Sequence, residues 1–220
     1  MTVIDVHVVP VMLGSADDPV LVSRLGDEEL KAVRSLGFAA DRDRAVTARA
    51  AARLELGRRL GVHPRLVPLL APEVTGGRPN VAGTKIEISW SHSGAWVALA
   101  LATGRPVGVD IEAIPERVPV KALAMIGLRS IDDFVAREAA GKATGEGLSE
   151  SRPRNICVRR FEAPGGYLGA VAAPGYDWAI DVKSFEVREP PAEASANAVG
   201  VWDTTRIGNA KAAAYAGARR

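Results

Sequence analysis

The stretch Gly108-Val109-Asp110-Ile111-Glu112 alternates apolar and polar residues, and Val107 extends the pattern by one step. Side chains in a strand repeat every second residue, so the stretch reads as a strand with Asp110 and Glu112 on one face. At about 4 Å and an effective dielectric of about 20, two such charges repel by roughly 4 kcal/mol. A shared proton, a neighbouring Arg or Lys, or a divalent cation held by oxygen ligands would offset that. Taken alone, the pentapeptide also fits a strand leaving its sheet with a solvated acidic face.

Working outward, Gly104-Arg105-Pro106 turns into this strand from another at Trp96 to Ala102. The strand before it, Ile86 to Ser91, alternates cleanly, and His92-Ser93-Gly94 makes the turn. These three strands are expected to form an antiparallel meander, with Trp90 and Trp96 as core. A first strand is read over residues 3 to 13, with Pro10 at its end. A short helix opens at Gly26-Asp27 with acids in its first turn. A long helix follows over Arg42 to Leu60, with Asp41 or Asp43 as N-cap and Gly61 as stop. Seven Arg lie between Asp41 and Arg65 against three acids, a local excess that suits a phosphate-bearing partner or a solvated helix face. Val62 to Asn80 is a Pro- and Gly-rich loop.

Downstream, Pro115 and Pro119 break residues 113 to 128. Ser130, with Asp133 three residues on, starts a helix that runs to about Thr144 and stops at Gly145. Glu138 and Lys142 share one face of it, as an i,i+4 pair if nothing more. Gly141 inside this helix implies close packing or weak intrinsic stability. Asn155 to Phe161, Tyr167 to Ala172 and Trp178 to Glu186 read as three further strands. The fold class is therefore α+β, with a helix and a meander in each half: residues 1–112 as an N-terminal lobe, 113–188 as a C-terminal lobe and 189–220 as a flexible tail.

Composition bounds the function. The net charge of +2 over 220 residues is too small to argue for nucleic acid. Cys157 is the only cysteine, which excludes an intramolecular disulfide and a Cys-based zinc site. No stretch is long and apolar enough for a membrane span, and no basic leader region precedes the first apolar run, so the cytoplasm is the expected compartment.

Several pieces fall in a known order: Arg44 and Arg53 on the long helix, Gly77-Arg78-Pro79, Trp90-Ser91-His92-Ser93, the Asp110 strand, and Phe134-Val135-Ala136-Arg137-Glu138-Ala139-Ala140-Gly141-Lys142 through Leu148. Together they resemble the 4′-phosphopantetheinyl transferases of the larger, pseudo-dimeric, surfactin-synthetase-activating type, over roughly residues 25 to 187. The resemblance implies transfer of the phosphopantetheine arm of coenzyme A to a serine of an acyl or peptidyl carrier protein. It implies Mg2+ held by Asp110, Glu112 and Glu138, with Glu138 also the base and Lys142 reaching a phosphate. It implies coenzyme A contacts from Arg44, Arg53, Arg78, Ser91 and His92. It also implies a monomer with an internal pseudo-twofold, its two lobes alike. Phe134 and Arg137 stand where the family has Trp and Lys. The segment from Ala113 to Ile131 is shorter than usual and lacks the family's F-x-x-x-E-like element beside the carrier. That leaves two other readings open, a homologue acting on another thioester or phosphate ester, and a non-catalytic binder.

Overall fold

The computed structural model describes residues 1–70, 78–147 and 155–188. The expected tail at 189–220 and Gly77 and Leu148 of the motifs lie outside them. Among the described residues nine strands form two sheets. The first has the order β2 (Leu69–Leu70), β3 (Asn80–Val81), β4 (Ile86–Ser93), β5 (Trp96–Thr103), β1 (Thr2–Pro10), β9 (Trp178–Ser184). The second has the order β6 (Gly108–Ala113), β8 (Tyr167–Pro174), β7 (Ile156–Phe161). Pairings are antiparallel except β1 with β9, which is parallel. The helices are α1 (Pro19–Val22), α2 (Asp27–Arg34), α3 (Ala39–Leu60), α4 (Val120–Met125) and α5 (Ile131–Thr144). The class is α+β, as the sequence pattern implies.

The strand partners differ from the expected meanders. β4 and β5 form the expected hairpin, but β6 pairs with β8 in the other sheet. Arg105 directs the crossing: its guanidinium donates to the Pro174 carbonyl and pairs with Asp177, at the far end of β8. The last strand crosses the other way. β9 leaves β8 and lies beside β1, in register from Thr2 against Trp178. Alternation specifies which face of a strand is apolar, and it is silent about the neighbour.

Packing stacks four layers. Ile4, Val6 and Val8 of β1 meet Val109, Ile111 and Val171 between the two sheets, with Trp178 fully buried among them. On the outer face of the first sheet, Val9, Val97, Leu99 and Leu101 pack on Val46, Ala48, Ala52 and Leu56 of α3. On the outer face of the second, Ala170 and Ala172 pack on Val135, Ala139 and Ala143 of α5. Alanine dominates both helix contacts, so the helices lie close to their sheets.

Helix ends follow local chemistry. Ser130 accepts from the Asp133 amide at 3.0 Å, and Gly145 closes α5 at φ 78° in the left-handed region, as expected. α3, however, begins three residues before Arg42, with Phe38 at the capping position and no side-chain cap. Asp43 is not an N-cap. It is buried and accepts the Gly14 and Ala16 amides at 2.9 and 3.0 Å, holding the loop after β1.

His7 of β1 faces α3, 3.7 Å from Glu55, and is 5% exposed, with neither ring nitrogen hydrogen-bonded among the described residues. Burial lowers its pKa; Glu55 and Asp5 oppose this, while Arg59 and Lys183 add to it. The folded protein therefore binds a proton at His7 less readily than the unfolded chain. Its stabilising neutral form is fully favoured above the ordinary value of 6.5, and stability drains away as pH falls from there to the lower folded value. Thermal denaturation between pH 7.5 and 5 should show a smaller loss in His7→Leu than in the parent; equal losses would assign the acid sensitivity elsewhere.

Candidate functional site

Two glycines set the distances of the site. A Cβ on Gly108 would lie 2.0 Å from the Ala139 carbonyl oxygen and 2.4 Å from the Ala143 amide nitrogen. The backbone of β6 thus runs directly against the backbone of α5. A Cβ on Gly141 would lie 1.9 Å from the Gly147 oxygen, so the chain after α5 folds back against the helix. Close packing, the first of the two readings of Gly141, is the one that holds.

This approach brings the i,i+2 carboxylates of β6 to the helix face carrying Glu138 and Lys142. Asp110 is 2% exposed. Its Oδ1 accepts from Lys142 Nζ and from Ser91 Oγ, both at 2.7 Å. Its Oδ2 is buried without a hydrogen-bond partner among the described residues. Glu112 accepts from Ser93 Oγ at 2.7 Å. Burial raises the Glu112 pKa, Asp110 and Glu138 raise it further, and Ser93 and Lys142 oppose them. Burial also raises Glu138, with Lys142 opposing and Asp110 adding. The repulsion between carboxylates is therefore met on the protein's side by one ammonium, Lys142, and by two serine hydroxyls.

The basic residues divide. Arg44 pairs with Asp41 and reaches the Gly94 carbonyl at 3.5 Å, at the β4–β5 turn beside His92. His92 has a solvent-exposed surface, yet the protein packed around its ring still disfavours the imidazolium. The charges of Arg44, Lys142 and Arg49 lower its pKa further. Arg78 donates to the Ala143 carbonyl in the last turn of α5 at 2.9 Å and pairs with Glu87 of β4, so it ties the two sheets' elements together. Arg53 does not join this group. It is 4% exposed, ion-paired to Glu29 at 2.6 Å, and donates to the carbonyls of Pro64, Arg65 and Val67. Its Nε holds Glu29 of α2 and its Nη1 holds the loop after α3, so the structure does not bring it to Asp110 with the others.

Sequence reasoning passed over Ser89, Ser93 and Tyr167. The Tyr167 hydroxyl accepts from the Ala95 amide at 3.0 Å and packs on Gly94, which a side chain would displace. The serines carry a legible signal in retrospect: Ser89, Ser91 and Ser93 repeat at the same interval as Asp110 and Glu112.

Beside Glu112 a cavity of about 360 Å³ opens, lined by Pro115, Pro119, Leu123, Ile126 and Phe134. In the same segment of chain Ile114, Val120 and Met125 are exposed, at 50%, 63% and 87% accessible. The short segment before α5 therefore forms a wall, built on α4. Among the described residues no three His, Cys, Asp or Glu side chains are gathered closely enough to hold a metal ion between them. Asp110 and Glu112 do offer hard oxygen donors, and the orphaned Asp110 Oδ2 is suited to a cation that completes its shell with substrate phosphates and water, the usual habit of Mg2+. No helix among the described residues is long and apolar enough to cross a membrane. No family model matches the sequence, and no curated protein is similar enough to it to name a family.

Proposed function

We propose that the protein is a 4′-phosphopantetheinyl transferase, moving the phosphopantetheine arm of coenzyme A to a serine of an acyl or peptidyl carrier protein. The observation that supports this most is the convergence on Asp110 of three separated motifs: Ser91 from the Ser-His-Ser turn, Asp110 itself, and Lys142 from the helix bearing Glu138. Chance co-location of a strand acid with both partners is a poor alternative, because each hydrogen bond is buried or half-buried and 2.7 Å long.

In this reading Asp110 and Glu112 would hold Mg2+, with Glu138 facing them from α5 and the remaining ligands coming from coenzyme A phosphates and water. The ion would neutralise charge on the transferring phosphoryl group. Glu138 accepts the proton of the carrier serine. The serine oxygen bonds to the phosphorus bearing the pantetheine arm, the bond from that phosphorus to the bridging oxygen breaks, and 3′,5′-ADP leaves. The raised Glu138 pKa suits a base, because a more basic carboxylate takes a proton more readily. Lys142, paired with Asp110, would share charge with a phosphate oxygen, and Arg44, Arg78 and His92 would receive the nucleotide end. The apolar cavity next to Glu112 is where the carrier would rest. The two long helices, each backed by its own sheet, would be the two halves of the pseudo-twofold, in a monomer working in the cytoplasm. Intact-mass measurement of several apo carrier proteins incubated with coenzyme A, Mg2+ and this protein tests the proposal. Gain of one phosphopantetheine group on any carrier serine supports it, and no gain with a broad carrier set defeats it.

Arg44 supplies a separate check. Half-buried and beside His92, it is suited to the 3′-phosphate, and a guanidinium holds phosphate through paired donors. Arg44→Ala should weaken coenzyme A by about tenfold, and dephospho-coenzyme A much less, with affinity for the former falling as salt rises. Equal losses for both ligands in calorimetric titration would reduce Arg44 to a surface residue.

A further inference from the structure

β4 and β6 lie side by side without a strand ladder, and serine hydroxyls fill the gap. Ser89 Oγ accepts the Val109 amide and Ser93 Oγ accepts the Ala113 amide, each at 3.1 Å. These amides lie on the edge of β6 away from β8, and an unpaired edge N–H is costly when buried. Between them Ser91 does something else: it donates to the Asp110 carboxylate.

We infer that Ser91 is a positioning residue, which fixes the Asp110 carboxylate so that Oδ2 is presented to the cation, and is not a contact for coenzyme A. The inference rests on the transferase reading. A carboxylate turns freely about its last torsion, because that rotation has no sharp wells. Here two donors from different elements, Ser91 of β4 and Lys142 of α5, grip the same oxygen, and that leaves the other as the free one. A serine has one hydroxyl proton to give. Ser91 has given it to an acid 2.7 Å away and is 8% exposed, so it has no donor left for a phosphate and little surface to offer one.

The test uses the full chain, coenzyme A, and Mn2+ as the probe, with bound ion followed by electron paramagnetic resonance. Groups that orient a metal ligand typically cost about 10- to 100-fold in metal affinity when removed. Ser91→Ala should lose that much Mn2+ affinity while binding coenzyme A in EDTA as the parent does. Ser91→Thr, which keeps the hydroxyl, should recover most of the loss. Unchanged Mn2+ affinity in Ser91→Ala overturns the inference and leaves the transferase reading standing. Weakened coenzyme A binding in EDTA, with Mn2+ affinity intact, also overturns it and makes Ser91 a phosphate contact. A parent protein that binds no Mn2+ with coenzyme A removes both the reading and the inference. If Ser91→Ala does not fold, Ser91→Cys, close in size and a poor donor, should show an intermediate loss, and parental affinity there overturns the inference.

Discussion

Asp110→Ala should cut transfer by about 10²- to 10³-fold, the scale seen when one preorganised electrostatic group is removed from an active site. The loss should persist at saturating coenzyme A, and added Mg2+ should restore little of it. Stability should fall as well. Two repelling carboxylates would lead one to expect relief on removing one. Asp110, however, is the acceptor for Lys142 and Ser91, and alanine leaves both without it. Breaking a fully buried ion pair costs about 3 to 5 kcal/mol. Lys142 is 29% exposed at its side chain and can turn to water, so about 1 to 3 kcal/mol is the better figure. Asp110→Asn separates the effects, since the amide oxygen can still accept from Ser91 and Lys142 while the charge is gone. It should keep more of the parent's thermal stability than alanine and lose nearly as much activity. Retention of most activity in Asp110→Ala would sink the metal assignment.

Gly108→Ala should be among the most damaging single methyls in the site region. The added carbon would meet backbone atoms of α5 at 2.0 and 2.4 Å, and neither can rotate away as a side chain would. Overpacking costs about 1 to 3 kcal/mol and occasionally more, and a backbone-on-backbone clash belongs at the upper end. The helix must lift, and Lys142 and Glu138 must move with it. Denaturant titration should show a loss of about 3 kcal/mol, with turnover reduced even in the folded fraction. Gly61→Ala provides the contrast: beyond its own chain neighbours and its helix's own backbone no atom of the described residues stands within 4 Å, so its cost is mainly backbone strain at φ 67°. If Gly108→Ala were no worse than Gly61→Ala, the close approach of β6 to α5 would be wrong.

Much of the local architecture was legible because its causes are local. Ser130, Gly145 and Gly61 mark helix ends by chemistry that acts within one turn, and β4 and β5 are joined by a short turn at Gly94. What could not be read is which strands meet across distance. Val107, Val109 and Ile111 declare an apolar face for β6 whether it packs beside β5 or crosses to β8. Nothing near residue 178 points to Thr2. The resemblance groups Arg53 with Arg44, although helix geometry separates them: nine residues place them about 13 Å apart along the axis and about half a turn around it. The Asp110–Lys142 contact was not read: the ordered motifs sent Lys142 to a phosphate, and a strand and a helix share no periodicity that would join the two. The serines of β4 were visible as a repeat, but their targets were not, since a hydroxyl in a strand usually faces water.

The exchange of outer strands has a consequence for how the chain behaves as a whole. β6, which follows β5 in sequence, completes the second sheet, and β9, the last strand among the described residues, completes the first. A cut in the connection after Ala113 would therefore yield two fragments, each carrying a strand whose partners are on the other. Neither should be a foldable unit by itself, yet mixed together they should recombine into one particle. In the intact chain the same interlock couples the fates of the two sheets, so they should melt in one transition, and the first sheet cannot close during synthesis until residue 184 has left the ribosome.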